Sequence, residues 1–397
     1  MRSSSDCRRA RPVRNDVFSS VIEPQPRRFD EKAGFCLVPF KTTQEYTSPM
    51  GPSAHSPRPE VRPTRHHRAV RKKKLDLGYK SIEDVVQKIK AEPSTTLANY
   101  LKETPNIAKA IRGDRDAVVR IAYEAGVDLA AQGVLYGELW LGTTSYVGDG
   151  SKEAGSSLRT AAEVVEAVLE GFAKAEREKD IKLRLVLAIA RALPETAEEA
   201  LNLCYEYRDR GVVGIDACGR VKEMPSVGED EEVLAPEIIQ ALKNASKLGV
   251  HRTIHAGEAG PPSNVAHAIE VLGAERIGHG YSAVMENGST YRLALRRGIH
   301  FEVCPTCSYL TGAVKKDQEH PLVRLCKDGA SFSISTDGPT LTHTTLEDEY
   351  RLALSLGLTP EDIVKSNRSA ILASFLPVHE KQELLKKFDE LNEISGF

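Results

Sequence analysis

The stretch HRTIHAGE, residues 251–258, decides the fold of this chain, because it joins a strand-like run to a histidine and a glutamate. Three later stretches repeat this design: ERIGHG at 275–280, HFEVCPTC at 300–307 and SFSISTDGP at 331–339. Each of them places polar groups directly after a strand-like segment. Polar groups at the carboxyl ends of several parallel strands form the active site of a β/α barrel. The four stretches therefore predict a barrel with its active site at that end.

Strand-like and helix-like segments alternate from about residue 80 onwards, which indicates parallel β-α-β units. We predict an α/β fold of the (β/α)8 TIM type. An eighth strand is needed to close such a barrel. The only earlier strand-like run, at 34–40, contains a proline and lies far upstream, so we expect the first strand to be missing or replaced. The seven predicted strands span 134–141, 183–189, 212–217, 251–255, 275–278, 299–304 and 331–336.

The composition is that of a soluble globular protein, with 41% hydrophobic and 28% charged residues in a chain of 397. No apolar run reaches the roughly 18 residues that a membrane-spanning helix needs, so we expect no membrane partner. The seven cysteines are an odd number and do not indicate a disulfide framework. A reducing compartment, and hence the cytoplasm, is the simpler expectation.

The charge is distributed unevenly along the chain. Residues 1–75 carry 17 basic and 7 acidic residues and nine of the 21 prolines, whereas the remainder has a net charge of −12. We predict a disordered basic arm over 1–74 and a barrel over 75–397. The basic run 65–74 fits either a solvated linker or a nuclear address or polyanion patch, and the arginine-rich start faintly resembles a transit peptide.

His255 and Glu258 form the first candidate pair for catalysis. Gly257 allows the backbone to bend sharply, so that the imidazole and the carboxyl can face one pocket. A neutral imidazole is a good zinc ligand, and a carboxyl beside it can act as a general acid or base. Taken alone, the pattern H-x-x-E also fits a strand-end histidine that is satisfied by hydrogen bonds.

His279 and Asp337 are the next two candidates. His279 lies between two glycines after a predicted strand, where the small neighbours permit close approach of a ligand. Asp337 ends the predicted strand 331–336 and precedes Gly-Pro, a position that also suits an ordinary turn or helix-capping aspartate. Three polar groups at three strand ends of one barrel favour a shared site over three separate structural roles.

The motifs as a set resemble the adenosine deaminases. HRTIHAGE, ERIGHGY, HFEVCPTCSYLTGA and STDGP occur in the order found in that family, and GIDACG at 214–219 and SFLP at 374–377 are also similar. The resemblance extends from about residue 75 to the end. It implies a zinc-dependent β/α barrel that converts adenosine, and 2′-deoxyadenosine, to inosine-type products and ammonia.

The resemblance also implies a role for five residues. His255 and Asp337 correspond to ligands of one Zn²⁺ per chain, and Asp337 also holds the attacking hydroxide. Glu258 corresponds to the group that protonates the purine ring, and His279 to the group that orients the hydroxide. Gly219 corresponds to the residue whose backbone N–H contacts a purine ring nitrogen. The expected partner is thus a small purine nucleoside and not a nucleic acid.

The chain departs from the family pattern at its start, because the family opens with H-x-H-L-D-G and no H-x-H occurs in this sequence. His66-His67 is no substitute, since adjacent strand residues point to opposite faces. We therefore expect an incomplete zinc site. The family's Asp-Asp is Asp337-Gly338 here, and Trp140 stands where an arginine is usual. Cys304-Pro305-Thr306-Cys307 has no second C-x-x-C, which favours a structural role over a redox one.

These observations predict an adenosine deaminase-type hydrolase that acts on a non-peptide C–N bond in purine metabolism. The alternative is a catalytically impaired or non-catalytic barrel that binds a nucleoside or a protein partner. A third interpretation is a truncated chain whose missing strand leaves unpaired edges beside the gap. The oligomeric state stays open.

Overall fold

The structure is a computed structural model that describes residues 37–38, 96–148, 157–221 and 232–394. It contains an eight-stranded sheet, curled into a partial barrel with helices outside it. The predicted arm over 1–74, apart from residues 37–38, lies outside the described residues. The strands are β1 (Leu37–Val38), β2 (Tyr136–Leu141), β3 (Lys182–Ala190), β4 (Val212–Cys218), β5 (His251–Ala256), β6 (Arg276–His279), β7 (His300–Val303) and β8 (Phe332–Ile334).

The strands neighbour one another in the order of the sequence, from β1 to β8. Strands β2 to β8 pair in parallel, as successive β-α-β units require. Among the described strands, β8 pairs with β7 alone, so these eight strands do not by themselves close the barrel between β8 and β1. The parallel order brings the carboxyl ends of β4 to β8 to one edge of the sheet.

The seven strands predicted after residue 130 are confirmed, each to within two residues at either end. The first strand was expected to be missing or replaced, and a short strand from an unfavoured run lies in its place. Leu37–Val38 lies inside the run 34–40, which its proline and remote position made a poor candidate, and it pairs antiparallel with β2 opposite Glu138 and Leu139. Among the described residues, the strand beside β2 on this side is thus two residues long and antiparallel.

The helices between the strands begin at residues suited to capping. Thr160 and Glu163 form a capping box before the helix Ala161–Glu178, and Thr359 and Asp362 form another before the helix Pro360–Ala373, where Pro360 occupies the first turn. The helices are α1 (Leu97–Tyr100), α2 (Thr104–Ile111), α3 (Arg115–Ala131), α4 (Ala161–Glu178), α5 (Ala197–Glu206), α6 (Pro236–Lys247), α7 (Pro262–Glu270), α8 (Tyr281–Glu286), α9 (Ser289–Arg297), α10 (Pro305–Leu310), α11 (Pro321–Lys327), α12 (Pro339–Thr342), α13 (Leu346–Ser355), α14 (Pro360–Ala373) and α15 (Val378–Ile394).

Helices α3 and α4 pack closely because Gly171 has no side chain at their contact. A Cβ atom at Gly171 would lie 2.4 Å from the Val119 carbonyl oxygen and 2.6 Å from the Ala122 Cβ. Glycine therefore sets the distance between the two helices. Within the described ranges, no helix is long and apolar enough to cross a membrane.

A buried ion-pair network fills part of the barrel interior. Arg276, at the start of β6, pairs with Glu138 of β2 at 2.6 Å and with Glu302 of β7 at 2.8 Å, and its guanidinium lies 3.6 Å from the ring centroid of Phe375. Charges buried this deeply are stable only when they are paired. The network ties three strands and the segment after α14 together, beneath the strand ends that carry the site.

Candidate active site

The loop after β5 carries Glu258 and is held in place by a second carboxylate. Gly257 has φ +74°, and a Cβ there would lie 2.7 Å from Val265 Cγ2, so a glycine is required at this bend. The backbone N–H groups of Gly257, Glu258 and Ala259 all donate to the buried Glu232 carboxylate, at 2.7, 2.8 and 2.8 Å. Glu232 thereby fixes where the Glu258 side chain starts.

His255 lies at the end of β5 and pairs with Asp216 of β4. Its Nδ1 is 2.6 Å from Asp216 Oδ2, and its backbone N–H donates to Oδ1 at 3.1 Å. Burial favours the neutral acid, but the charge and hydrogen bonds of His255 keep the pKa of Asp216 below its usual value. A histidine held through one ring nitrogen by a carboxylate is the arrangement found where the other nitrogen binds a metal.

Glu258, His279 and Asp337 form a compact group at the carboxyl ends of β5, β6 and β8. One ligand-type atom from each lies within 4.8 Å of the others, and His279 Nε2 is 3.5 Å from Glu258 Oε2. Among the described residues, no other set of three or more His, Cys, Asp and Glu side chains brings its ligand atoms this close together. His255 is not a member, although its ring centroid is 5.0 Å from that of His279.

Two members of this group have a strained backbone. His279 has φ +67° and Asp337 has φ +58°, in a region that residues with a Cβ rarely adopt. Such conformations cost about 1–3 kcal/mol each and cluster at functional sites. The side chains are thus held at their positions at the expense of local backbone stability.

Burial and charge set the protonation of the group. Burial, followed by the negative charge of Asp337, raises the pKa of Glu258 to about 8, although His255 opposes this shift. Burial and then the charge of His255 lower the pKa of His279 to about 4. Near pH 7 the group therefore contains a carboxyl that keeps its proton beside a neutral imidazole. A proton donor and a neutral hydrogen-bonding partner are what general acid catalysis uses.

Gly219 lies just beyond β4, next to His255, and Arg191 connects the two. Arg191 Nη1 donates to the Gly219 carbonyl at 2.6 Å and Nη2 donates to the His255 carbonyl at 2.5 Å. Gly219 has φ +72°, and no heavy atom lies within 4 Å of the position a Cβ would take. The open space on this side leaves room for a ligand.

Sequence reasoning missed several residues that the structure brings to the site. Tyr100 donates its hydroxyl to Asp337 Oδ2 at 3.4 Å, and the Cys307 Sγ lies 3.7 Å from Glu258 Oε1. Arg191 and Glu232 hydrogen-bond the backbone of the segments that carry Gly219, His255 and Glu258. For Cys307 the Cys-x-x-Cys spacing was a signal, but it points to redox or zinc-finger chemistry and not to this pocket. The other three come from elements far away in the sequence and carry no local motif.

The Ser308–His320 pair resembles a catalytic dyad but does not have the geometry of one. Ser308 Oγ is 2.9 Å from His320 Nε2 and donates its own hydrogen to the Pro305 carbonyl at 2.7 Å. His320 Nδ1 accepts from the Leu322 N–H at 3.0 Å, so Nε2 carries the proton and donates to the serine. The imidazole therefore cannot act as the base that activates Ser308.

Known proteins similar to this chain are adenosine deaminases and related purine deaminases. The family model described as adenosine deaminase matches residues 60–391. Adenosine deaminase of Xenopus laevis is 37% identical over 332 residues, covering 81% of this chain and 89% of the relative. Adenosine deaminase of Clostridium botulinum is 34% identical over 292 residues, covering 73% and 81%.

Solved structures agree with the sequence relatives. The arabidopsis N6-mAMP deaminase has a TM-score of 0.67 and 28% identity, covering 81% of this chain and 91% of its own. The arabidopsis protein ADAL, solved with IMP, has a TM-score of 0.68 and 27% identity, covering 83% and 91%. The fold, the site and these similarities define a hydrolase of the TIM-barrel type that acts on C–N bonds. The chain belongs to the adenosine deaminase family.

Proposed function

We propose that this chain hydrolyses the exocyclic amino group of adenosine and 2′-deoxyadenosine, with release of ammonia, in a zinc-dependent reaction. The observation that carries the proposal is the group of Glu258, His279 and Asp337, which meets at three strand ends with a protonated carboxyl beside a neutral imidazole. Curated relatives named adenosine deaminase support the choice of substrate. Solved neighbours with IMP and GMP support a purine ligand of some kind.

Glu258 acts as the proton donor in this proposal. In the metal-free protein burial raises its pKa to about 8, so the carboxyl holds a proton that it can give to a ring nitrogen of the purine. Protonation makes the carbon that bears the amine electrophilic and open to attack by hydroxide. His279 remains neutral and orients that hydroxide through a hydrogen bond. Gly219 offers its backbone N–H to the purine ring.

His255 and Asp337 would hold the zinc ion. His255 fits this role because Asp216 fixes its ring from behind, in the way outer-shell carboxylates orient metal-binding imidazoles. When bound there, zinc would supply a nucleophile by lowering the pKa of water to about 7. Catalytic zinc usually takes three protein ligands, and His255 with Asp337 provides only two of them.

A second candidate function is favoured by this shortage of ligands. The eleven histidines include no H-x-H pair, so the family's two opening ligands are absent from the sequence. A barrel that cannot retain zinc could still bind a nucleoside at the same strand ends, or serve a protein partner. Such a protein would fold and melt cooperatively but release no ammonia.

The test measures zinc content, cooperative melting and ammonia release in one preparation of the full chain. Adenosine, 2′-deoxyadenosine, AMP, N6-methyl-AMP and adenine serve as substrates. Bound zinc with turnover of the two nucleosides supports the proposal. A cooperative melt without zinc or turnover supports the binding protein. Turnover confined to the nucleotides would show that the substrate class is wrong while the deaminase chemistry is right.

A further inference from the structure

Glu232 is a buried carboxylate beside the candidate site, and the proposed reaction gives it no chemical task. It lies just before α6 and is 3% exposed. Its Oε1 accepts from the backbone N–H groups of Glu258 and Ala259, both at 2.8 Å. Its Oε2 accepts from the Gly257 N–H at 2.7 Å and from Asn264 Nδ2 at 3.4 Å. Four N–H donors from two segments therefore converge on one side chain.

These contacts argue against a direct chemical role for Glu232. A carboxylate has about four acceptor sites on its two oxygens. The four N–H donors occupy them, so the side chain has no site left for a metal ion, a water molecule or a substrate. Burial disfavours the charged form, but the charge of Arg191 and the backbone N–H groups lower the pKa of Glu232 below its usual value. Glu232 is therefore an ionised acceptor at neutral pH.

The three backbone donors all belong to the bend that carries Glu258. Residues 257–260 lie between β5 and α7 and are neither helical nor extended. Their N–H groups at 257–259 thus reach a side chain in place of a neighbouring strand or a helical turn. Hydrogen bonds to an ionised acceptor are roughly twice as strong as neutral ones. One carboxylate therefore sets the path of this bend.

We propose that Glu232 is a positioning residue for catalysis, which holds the bend 257–259 so that the Glu258 carboxyl meets its substrate. The inference rests on the proposed function, in which Glu258 is the general acid. A misplacement of about 1 Å at a reacting group can slow an enzyme about 10²-fold. Because proton transfer occurs only in the transition state, displacement of Glu258 should lower kcat and leave KM nearly unchanged.

Two substitutions weaken this contact in different ways. Glu232→Gln keeps the size of the side chain but replaces one acceptor oxygen with an NH2 group, so at least one backbone N–H loses its acceptor in either amide orientation. Glu232→Asp keeps the charge but withdraws the carboxylate by about 1.5 Å. For both, we expect kcat on adenosine to fall about 10–100-fold and KM to stay within about threefold. Glu237→Gln removes an exposed carboxyl from α6 and should behave like the parent.

A double variant shows whether Glu232 acts through Glu258. In Glu232→Gln combined with Glu258→Gln, kcat should be close to that of Glu258→Gln alone, because a displaced bend cannot harm an acid that has been removed. Hydrogen exchange of the full chain, followed by mass spectrometry, gives a second readout that needs no turnover. Exchange at 257–259 should be at least about tenfold faster in Glu232→Gln than in the parent, with α3 unchanged.

The outcomes separate this inference from the proposed function. Parental kcat in both Glu232 variants, a change in KM alone, or losses that multiply in the double variant would overturn the positioning role. Unchanged exchange at 257–259, or faster exchange throughout the fold, would also overturn it. Loss of cooperative melting in both variants would show a general structural role instead. A parent that releases no ammonia contradicts the proposed function, and local exchange at 257–259 then decides whether Glu232 holds the bend.

Discussion

Replacing Glu258 with glutamine tests the proposed general acid with little disturbance of the fold. Glu258 is 9% exposed, and in the metal-free protein it keeps its proton at pH 7, because burial and the charge of Asp337 raise its pKa to about 8. Glutamine has the shape of the protonated acid and can still donate a hydrogen bond. It cannot give up a proton to the purine.

The expected loss in kcat/KM is about 10²–10⁴-fold, the usual contribution of a general acid. It corresponds to roughly 3–5 kcal/mol of transition-state stabilisation. The free energy of unfolding of the metal-free variant should rise, whereas its activity falls. A carboxyl whose pKa is raised on folding destabilises the native state as pH rises from the unfolded pKa through the folded one. In the metal-free protein, Glu258→Gln should gain on the order of 3 kcal/mol over the parent at pH 7.

The assay is ammonia release from adenosine across a range of pH, with urea unfolding of the metal-free proteins alongside. Glu270→Gln removes an exposed carboxyl from α7 and is the matched control, with parental activity and stability expected. A rate for Glu258→Gln within a small factor of the parent would refute the assigned role. Unchanged stability between pH 5 and 8 would refute the claim that Glu258 is a buried, protonated acid.

Three further predictions concern the fold and the metal. Burial, opposed by hydrogen bonds from Thr306 and Thr344, raises the pKa of Glu349 to about 7, so the parent protein should lose stability between about pH 4.5 and 7. In urea unfolding, Glu349→Gln should be more stable than the parent by an amount that grows with pH to about 3 kcal/mol above pH 7. A stability gain that does not depend on pH would contradict this prediction. Gly171→Ala should lower stability by about 1–3 kcal/mol in thermal melts, because its Cβ would collide with the Val119 carbonyl, and an unchanged melt would show that the helices can separate freely. Grafting a strand with H-x-H-L-D-G ahead of residue 75 should raise zinc content and ammonia release by orders of magnitude, whereas equal values in both proteins would mean that the native ligands already suffice.

The regular part of the fold could be predicted because it depends on local patterns. Strand β5 and the strands after it are short, largely apolar segments that end in polar motifs. This pattern is typical of parallel strands that are buried on both faces, and it can be recognised in the sequence alone. Strand β1 could not be predicted, since two residues carry no periodicity and its pairing with β2 spans about a hundred residues. Its antiparallel direction is a property of the tertiary fold alone.

In the candidate site, too, residues in local motifs could be predicted, whereas contacts with residues distant in the sequence could not. The sequence could place Glu258, His279 and Asp337 near one another because each lies at or just after the end of a strand, and the barrel places strand ends together. The sequence gives no indication that Glu232 binds three N–H groups of the Glu258 loop. The left-handed backbones of His279 and Asp337 were equally unpredictable, because residues with a Cβ rarely adopt this conformation and no local motif indicates it.

Reversible removal of the metal tests most directly whether this chain is the zinc-dependent adenosine deaminase that we propose. The full chain is assayed for inosine and ammonia as isolated, after dialysis against a chelator, and after one equivalent of Zn²⁺ is returned. Our expectation is that chelation abolishes turnover and that one zinc per chain restores it. Turnover that survives complete removal of zinc, or no turnover of adenosine at any zinc concentration, would contradict it.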